Sequence, residues 1–158
     1  MDADTTRRDM SDSPPLAHKV ENAGGERLQF AGMELVIRAS AESTGGSFSI
    51  VEEIDAVDAP PHVHLNEDEL FYVLEGDHIF TAGDRDIEAG PGDVVFVPRG
   101  TRHAQRRVIP RTGRTLSMFS PAGMEGFFRE IAAADGAGEL DGDVMERITE
   151  KYGAAWVD

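Results

Sequence analysis

The chain has 158 residues, of which 40% are hydrophobic, with 17 glycines, 8 prolines and a formal net charge of −15. This length suits one domain with a sizeable core. The acidic balance argues against nucleic acid as a partner, since binding phosphates needs a positive face, and the lack of cysteine excludes disulfides and thiolate ligands.

The first 25 residues are polar and contain chain-breaking stretches. "SDSPP" and "NAGG" interrupt any regular pattern, so residues 1–25 are predicted to form a flexible arm that includes a short ordered piece near 18–20. The arm has no apolar core of the signal-peptide kind, and no apolar run reaches the ~20 residues that span a bilayer. We therefore expect a cytoplasmic protein without a membrane partner.

Residues 26–120 alternate short apolar runs with turn signals. The runs are "RLQFAGMELVIRAS", "SFSIVEEI", "LFYVLEG", "HIFTAG", "DIEAG", "DVVFVP", "HAQRRVI" and "TLSMFS". Glycine-containing turns such as Gly90-Pro91-Gly92 separate them. Many short strands at even spacing predict an all-β sandwich or barrel over this range.

Residues 121–158 change to a helical period. The apolar positions at helical spacing are Met124, Phe127, Phe128 and Ile131 in one segment and Val144, Ile148 and Tyr152 in the next. Ser120-Pro121 predicts a helix start, and Gly153 a helix stop. We expect both helices to pack on the barrel, with a helix edge that closes the mouth of a cavity as the alternative.

The stretch "PHVHLNEDELFYVLEG" carries the chemistry. Side chains alternate along a strand, so His62 and His64 share one face and can bind one ion. Glu69 follows after a short polar turn, and "GDVVFVPRGTRH" adds His103. Three imidazoles and one carboxylate leave coordination positions open on a divalent metal, as catalytic sites do. Glu67 is expected in a solvated loop, with a role as the carboxylate ligand as the alternative, since it has the strand parity of Glu69.

These residues resemble the two motifs of the cupins, G-x5-H-x-H-x(3,4)-E-x6-G and G-x5-P-x-G-x2-H-x3-N. The matched positions are His62, His64, Glu69 and Gly76 in the first motif and Gly92, Pro98, Gly100 and His103 in the second. The opening glycine of the first motif is Ala56 here, and the final asparagine of the second is Arg107. The pattern is most similar to the small quercetin-dioxygenase-like cupins.

The resemblance implies a double-stranded β-helix (jelly-roll) barrel over residues 26–120. It implies one divalent ion (Fe, Mn, Ni, Co, Cu or Zn) held by His62, His64, Glu69 and His103. It also implies a homodimer, in which the stretch near residues 27–39 would be exchanged between copies.

Other side chains are predicted to line the site. Because His103 points inward, Gln105 and Arg107 are expected inward too, and a buried Arg107 must pair with a carboxylate or await an anionic substrate group. His78 is either a core histidine or a cavity-lining proton shuttle. The aromatic and sulfur-containing candidates for the core, some of which would face substrate, are Phe71, Tyr72, Phe80, Phe96 and Met118.

Three functions follow from the resemblance. The first is a metal-dependent dioxygenase acting on a small phenolic or enolisable oxygen compound, with Glu69 as both ligand and general base. The second is a non-oxidative cyclase or isomerase, in which zinc polarises a carbonyl. The third is a non-catalytic module that binds a small molecule.

Overall fold

The computed structural model describes residues 14–158. The predicted arm therefore falls partly on residues 1–13, which lie outside the described residues. Residues 14–25 contain neither helix nor strand and are mostly exposed. In the stretch expected to hold an ordered piece, the His18 ring makes one local hydrogen bond, to the carbonyl of Leu16.

The chain forms eleven strands and three helices between residues 26 and 156. The strands are β1 (Glu26–Phe30), β2 (Met33–Ala39), β3 (Ser49–Ile54), β4 (Ala59–His64), β5 (Asp68–Glu75), β6 (His78–Ala82), β7 (Arg85–Ala89), β8 (Val94–Val97), β9 (His103–Arg107), β10 (Arg114–Ser120) and β11 (Ala154–Trp156). The helices are α1 (Ala41–Thr44), α2 (Met124–Gly136) and α3 (Gly142–Lys151).

The strands make two antiparallel sheets. One has six strands in the order β1-β2-β3-β10-β5-β8, and the other has five in the order β11-β4-β9-β6-β7. From β3 onwards the chain crosses to the other sheet at each new strand, except in the β6-β7 hairpin, as in a jelly roll. The predicted all-β barrel with C-terminal helices is confirmed. The stretch expected to be exchanged between copies forms β1 and β2, which pair with each other in the same chain.

Helix α2 begins later than predicted. Ser120 still belongs to β10, where it pairs with Asp68, so the chain turns through Pro121 and the helix starts at Met124. Asp141 caps α3 by accepting a hydrogen bond from the Val144 backbone N–H. No helix within residues 14–158 combines the length and apolar character needed to cross a bilayer.

The C-terminal segment holds the two predicted helices and also a short strand that the sequence did not predict. Gly153 adopts a φ of 69° directly after α3, and the chain then returns to the barrel as β11. This strand pairs with β4, with Ala154 opposite His64 and Trp156 opposite His62. With three residues, β11 is too short to show an alternating apolar pattern in the sequence. It is defined as a strand by its pairing with β4.

The core has two parts. A cluster around Leu35, Ile37 and Val51 packs the inner face of the six-stranded sheet against α2 and α3. A second cluster around Phe71 and Phe80 fills the barrel interior. The six-stranded sheet turns its other face outward, and Tyr72 and Phe96, expected among the core aromatic residues, lie on that outer face and are exposed.

Candidate metal centre

Two neighbouring strands of the five-stranded sheet supply three imidazoles. His62 and His64 alternate inward from β4, and His62 lies opposite His103 of β9. The ring centroids of His62 and His103 are 4.2 Å apart, and those of His62 and His64 are 4.9 Å apart. Pro60 and Pro61 keep this segment extended, so the two β4 side chains reach the same side.

The six-stranded sheet supplies the carboxylate. Glu69 points inward from β5, between Phe119 on β10 and Val97 on β8. Its Oε2 atom lies 2.9 Å from His103 Nε2 and 3.2 Å from His64 Nε2. One ligand atom from each of His62, His64, Glu69 and His103 lies within 4.8 Å of the others. The four predicted ligands therefore converge.

Backbone carbonyls orient two of the imidazoles. His62 Nδ1 lies 2.8 Å from the carbonyl of Pro60, and His103 Nδ1 lies 2.9 Å from that of Thr101. When Nδ1 donates its proton to a carbonyl, Nε2 is left as the free lone pair that a metal binds. This arrangement, together with imidazole and carboxylate donors at one point, fits a divalent transition metal.

The electrostatics of the cluster suit a cation. Burial opposes the charged form of Glu69, but hydrogen bonds from His103 and His64 outweigh it and lower its pKa to about 2. Burial, reinforced by the charge of His103, lowers the pKa of His62 to about 4. For His103, burial is outweighed by the bond to Glu69, which raises its pKa. The shifts of Glu69 and His103 thus share one cause, the contact between Glu69 Oε2 and His103 Nε2.

An apolar cavity of about 380 Å³ opens beside the cluster, within the usual size of ligand pockets. His62, His64 and Glu69 form part of its wall. Helix α2 contributes Met124, Phe127, Phe128 and Ile131 to the wall, α3 contributes Met145 and Thr149, and β11 contributes Trp156. The helices thus close one side of the cavity, which is the alternative that the sequence left open.

The predicted substrate-binding residues divide into two groups. Phe71 and Gln105 line the cavity. Phe80 does not, because it packs behind Phe71 with ring centroids 4.7 Å apart. Met118 also lies outside the lining, since it sits opposite Leu70 on the outer face of β10. Its neighbour Phe119 faces the cavity instead. The cavity-lining residue of β10 is therefore one position after the predicted Met118.

His78 and Arg107 lie away from the cluster, at the opposite end of β6 and β9. His78 borders a separate pocket, and burial lowers its pKa. Arg107 is fully buried, and its Nη2 atom lies 3.2 Å from Glu53 Oε2. The pairing expected for a buried arginine is therefore present, with Glu53 as the partner that sequence reasoning did not name. The inward strand parity of Glu53 with Val51 is the signal that would have found it.

Glu67 is not among the converging ligands. It was expected in a solvated loop, or as the alternative carboxylate ligand. It is instead 6% exposed, and its Oε2 atom has no hydrogen-bond partner within residues 14–158. Burial raises the pKa of this carboxyl, partly opposed by His64 and Arg99.

Residues 51–118 match the family model named Cupin_2, cupin domain. This stretch is therefore a cupin domain, as the two motifs predicted. Over 118 residues it is 30% identical to quercetin 2,3-dioxygenase of Bacillus subtilis (strain 168), a match that covers 73% of this chain and 35% of the relative. The chain thus spans about a third of the length of that relative.

Solved structures show the same fold. KdgF from Halomonas sp. superposes with a TM-score of 0.60 at 19% identity, covering 70% of this chain and 99% of that one. An RmlC-like cupin from Shewanella frigidimarina gives 0.59 at 19% identity, covering 72% and 99%. Pac13, a Streptomyces nucleoside dehydratase, gives 0.55 at 18% identity, covering 70% and 88%. At these identities the likeness extends to the fold alone.

Proposed function

We propose that the chain is a metal-dependent enzyme that acts on a small phenolic or enolisable oxygen compound, and that the reaction is a dioxygenation. The observation that carries the proposal is the convergence of four ligand atoms within 4.8 Å, beside an apolar cavity whose wall includes His62, His64 and Glu69. A buried site with open coordination positions beside a ligand-sized space is typical of catalysis. The 30% identity to a quercetin dioxygenase supports the choice of reaction.

His62, His64, Glu69 and His103 would hold one divalent ion, and Fe, Mn, Ni, Co, Cu and Zn all suit this donor set. The ion, when bound, supplies Lewis acidity and a template for oxygen ligands. The chain itself supplies the apolar wall that excludes water and orients a ring. Gln105 adds an amide that can hydrogen-bond to a substrate oxygen.

Glu69 was predicted to be both ligand and general base. A carboxyl with a pKa of about 2 stays ionised near neutral pH, which suits a ligand. The same pKa makes it a weak proton acceptor, because a general base works best with a pKa near the operating pH. We therefore propose the ligand role first, and the proton-transfer role stays a prediction.

Oxygen uptake tests the proposal. The protein is loaded in turn with each candidate metal and screened with flavonoid, polyketide and diketone compounds in an oxygen electrode. We expect oxygen uptake that matches substrate loss with a redox-active metal, and its loss in His62→Ala and His103→Ala. His18→Ala, at an exposed histidine far along the chain from the ligands, is the control and should keep full activity.

A non-oxidative cyclase or isomerase is the second candidate. The observation that favours it is the donor set, since three imidazoles and a carboxylate also suit zinc, which polarises carbonyls without redox chemistry. Turnover by the zinc form without oxygen, lost in the same histidine variants, would establish this candidate and reject the first. Turnover that survives in both histidine variants would reject both enzymes and leave a binding module.

We also propose that the chain forms a homodimer through the outer face of the six-stranded sheet. Val94 and Phe96 of the edge strand β8 are 56% and 58% exposed, and Tyr72 beside them is 39% exposed. A contiguous apolar sheet face is typical of a protein–protein interface. The second copy would present the same face.

A further inference from the structure

One acidic side chain lines the apolar cavity away from the four ligands. Glu53 points inward from β3, where it lies opposite Thr115 of β10 and Leu35 of β2. It forms part of the cavity wall together with apolar residues such as Ala56 and Val57. Its side chain keeps 15% of its surface accessible. A carboxyl in an apolar wall is costly to bury unless it has partners.

Glu53 has one protein partner on each carboxylate oxygen. Arg107 Nη2 lies 3.2 Å from Glu53 Oε2, and Ser117 Oγ lies 3.4 Å from Glu53 Oε1. Arg107 is itself held by the Val57 carbonyl, 2.9 Å from Nη1, and its side chain has no accessible surface. The arginine is therefore enclosed, whereas the carboxyl it fixes still faces the cavity.

The position of Glu53 sets a minimum length for a ligand that reaches it from the metal cluster. Along the inner face, Glu69 lies opposite Phe119, Phe71 opposite Ser117, and Val73 opposite Thr115. Glu53 shares the last of these rows, so it lies two rows, or about 13 Å of strand, beyond the Glu69 row. Its side chain reaches back to Ser117 in the row between. A ligand that spans from the cluster to Glu53 must be longer than one six-membered ring.

The chemistry of the carboxyl suits a hydrogen bond from a ligand. Burial raises the pKa of Glu53, partly opposed by Arg107. A carboxyl oxygen with free lone pairs in a dry cavity accepts a hydrogen bond from a hydroxyl more strongly than one in water does. The Glu53 carboxyl thus combines two protein partners with a place in the cavity wall.

We propose that Glu53 is a second polar anchor, which accepts a hydrogen bond from a hydroxyl at the end of the substrate remote from the metal centre. Arg107 is the positioning residue that holds the carboxyl in place. The inference rests on the proposed metal-dependent function. It deepens that function by defining the substrate as an apolar, multi-ring molecule with a metal-binding oxygen at one end and a hydroxyl at the other.

Binding of matched probes tests the anchor. The protein is loaded with zinc and titrated without oxygen, by calorimetry, with 3-hydroxyflavone and with its derivatives that carry one additional hydroxyl at successive ring positions. We expect at least one derivative to bind the wild type about 10-fold more tightly than the parent, as one hydrogen bond to a charged group allows. In Glu53→Gln that advantage should vanish, while the affinity for the parent changes by less than about two-fold.

Two further variants keep the test decisive. Glu34→Gln, on the outer face of β2 in an ion pair with Arg27, is the matched control and should keep the preference. If Glu53→Gln does not fold, the double variant Glu53→Leu/Arg107→Met removes both charges together and should also lose the preference.

The proposal is overturned if no derivative gains affinity in the wild type, if no probe binds, or if the gain persists without Glu53. Because the readout is affinity in the zinc form, a failure to consume oxygen rejects the dioxygenase and leaves this result untouched.

Discussion

Glu67 is the residue whose environment departs most from its expected one. It precedes Glu69 by two positions, yet its carboxyl is buried and Oε2 lacks a partner within residues 14–158. Burial raises its pKa above the ordinary value of 4.5. The unfolded chain therefore ionises first, so the stability that depends on this group is present below pH 4.5 and is lost as pH rises through the raised pKa.

Glu67→Gln should remove that loss in metal-free protein. We expect the variant to gain stability relative to the wild type as pH rises from 4 to 7, because its amide does not ionise. Urea unfolding with a chelator at both pH values measures the free energy of unfolding of each protein. The contributions of the other carboxylates cancel in the difference between variant and wild type. A variant that is less stable at pH 7 would show that the ionised carboxylate makes a stabilising contact, for example to His64.

At the residue scale, strand parity explains which predictions succeeded. His62 and His64 are separated by one residue, so any extended backbone places them together. Gln105 and Arg107 follow from His103 in the same way. Met118 failed because parity along β10 can be assigned only when its register with β5 is known, and that register places Phe119 beside Glu69.

At the scale of elements, the contact between α2 and α3 determines where the cavity wall lies. Gly126 of α2 faces Tyr152, the C-cap residue of α3, and a Cβ atom at this position would lie 2.6 Å from Tyr152 Cε1. The ring cannot easily retreat, because its hydroxyl lies 2.9 Å from Glu130 Oε1 and its face packs near Phe127.

Gly126→Ala should therefore destabilise the protein by about 1–3 kcal/mol, the usual cost of overpacking a close contact. Gly136→Ala, at the end of the same helix with nothing within 4 Å of the added Cβ, is the control and should change stability by less than about 1 kcal/mol. Thermal or urea unfolding of the three proteins decides the matter. Equal stability of the two variants would contradict the described packing of α2 on α3.

The elements differ in how well the sequence predicts them. Most strands of the barrel and both longer helices have apolar patterns of their own, and they appear where those patterns lie. The start of α2 was misplaced because Ser120 satisfies its backbone by pairing with Asp68, a long-range contact that local propensity does not contain. Strand β11 was missed because it depends on β4 in the same way.

At the scale of the whole molecule, the outer sheet face is the feature most in need of a partner. If a second copy covers it, placing a charge among its exposed apolar side chains should prevent association, because an unpaired charge in an apolar interface is costly. We expect sedimentation velocity at micromolar concentration to show a dimer for the wild type and a monomer for Phe96→Glu.

Ile109→Glu is the control, since Ile109 is 66% exposed in the turn after β9 rather than on this sheet face. It should leave the dimer intact. A monomeric wild type, or a Phe96→Glu variant that still dimerises, would show that the proposed face is not the interface.

Four side chains from two sheets are proposed to hold one cation, and the metal content of the protein tests this most directly. The protein is purified without added metal, its bound divalent transition metals are quantified by mass spectrometry, and chelator-stripped samples are then reloaded. We predict about one ion per wild-type and per His18→Ala chain, and almost none in His64→Ala or His103→Ala. A wild type that neither contains nor takes up a metal, or a His103→Ala variant that holds as much as the wild type, would contradict the account.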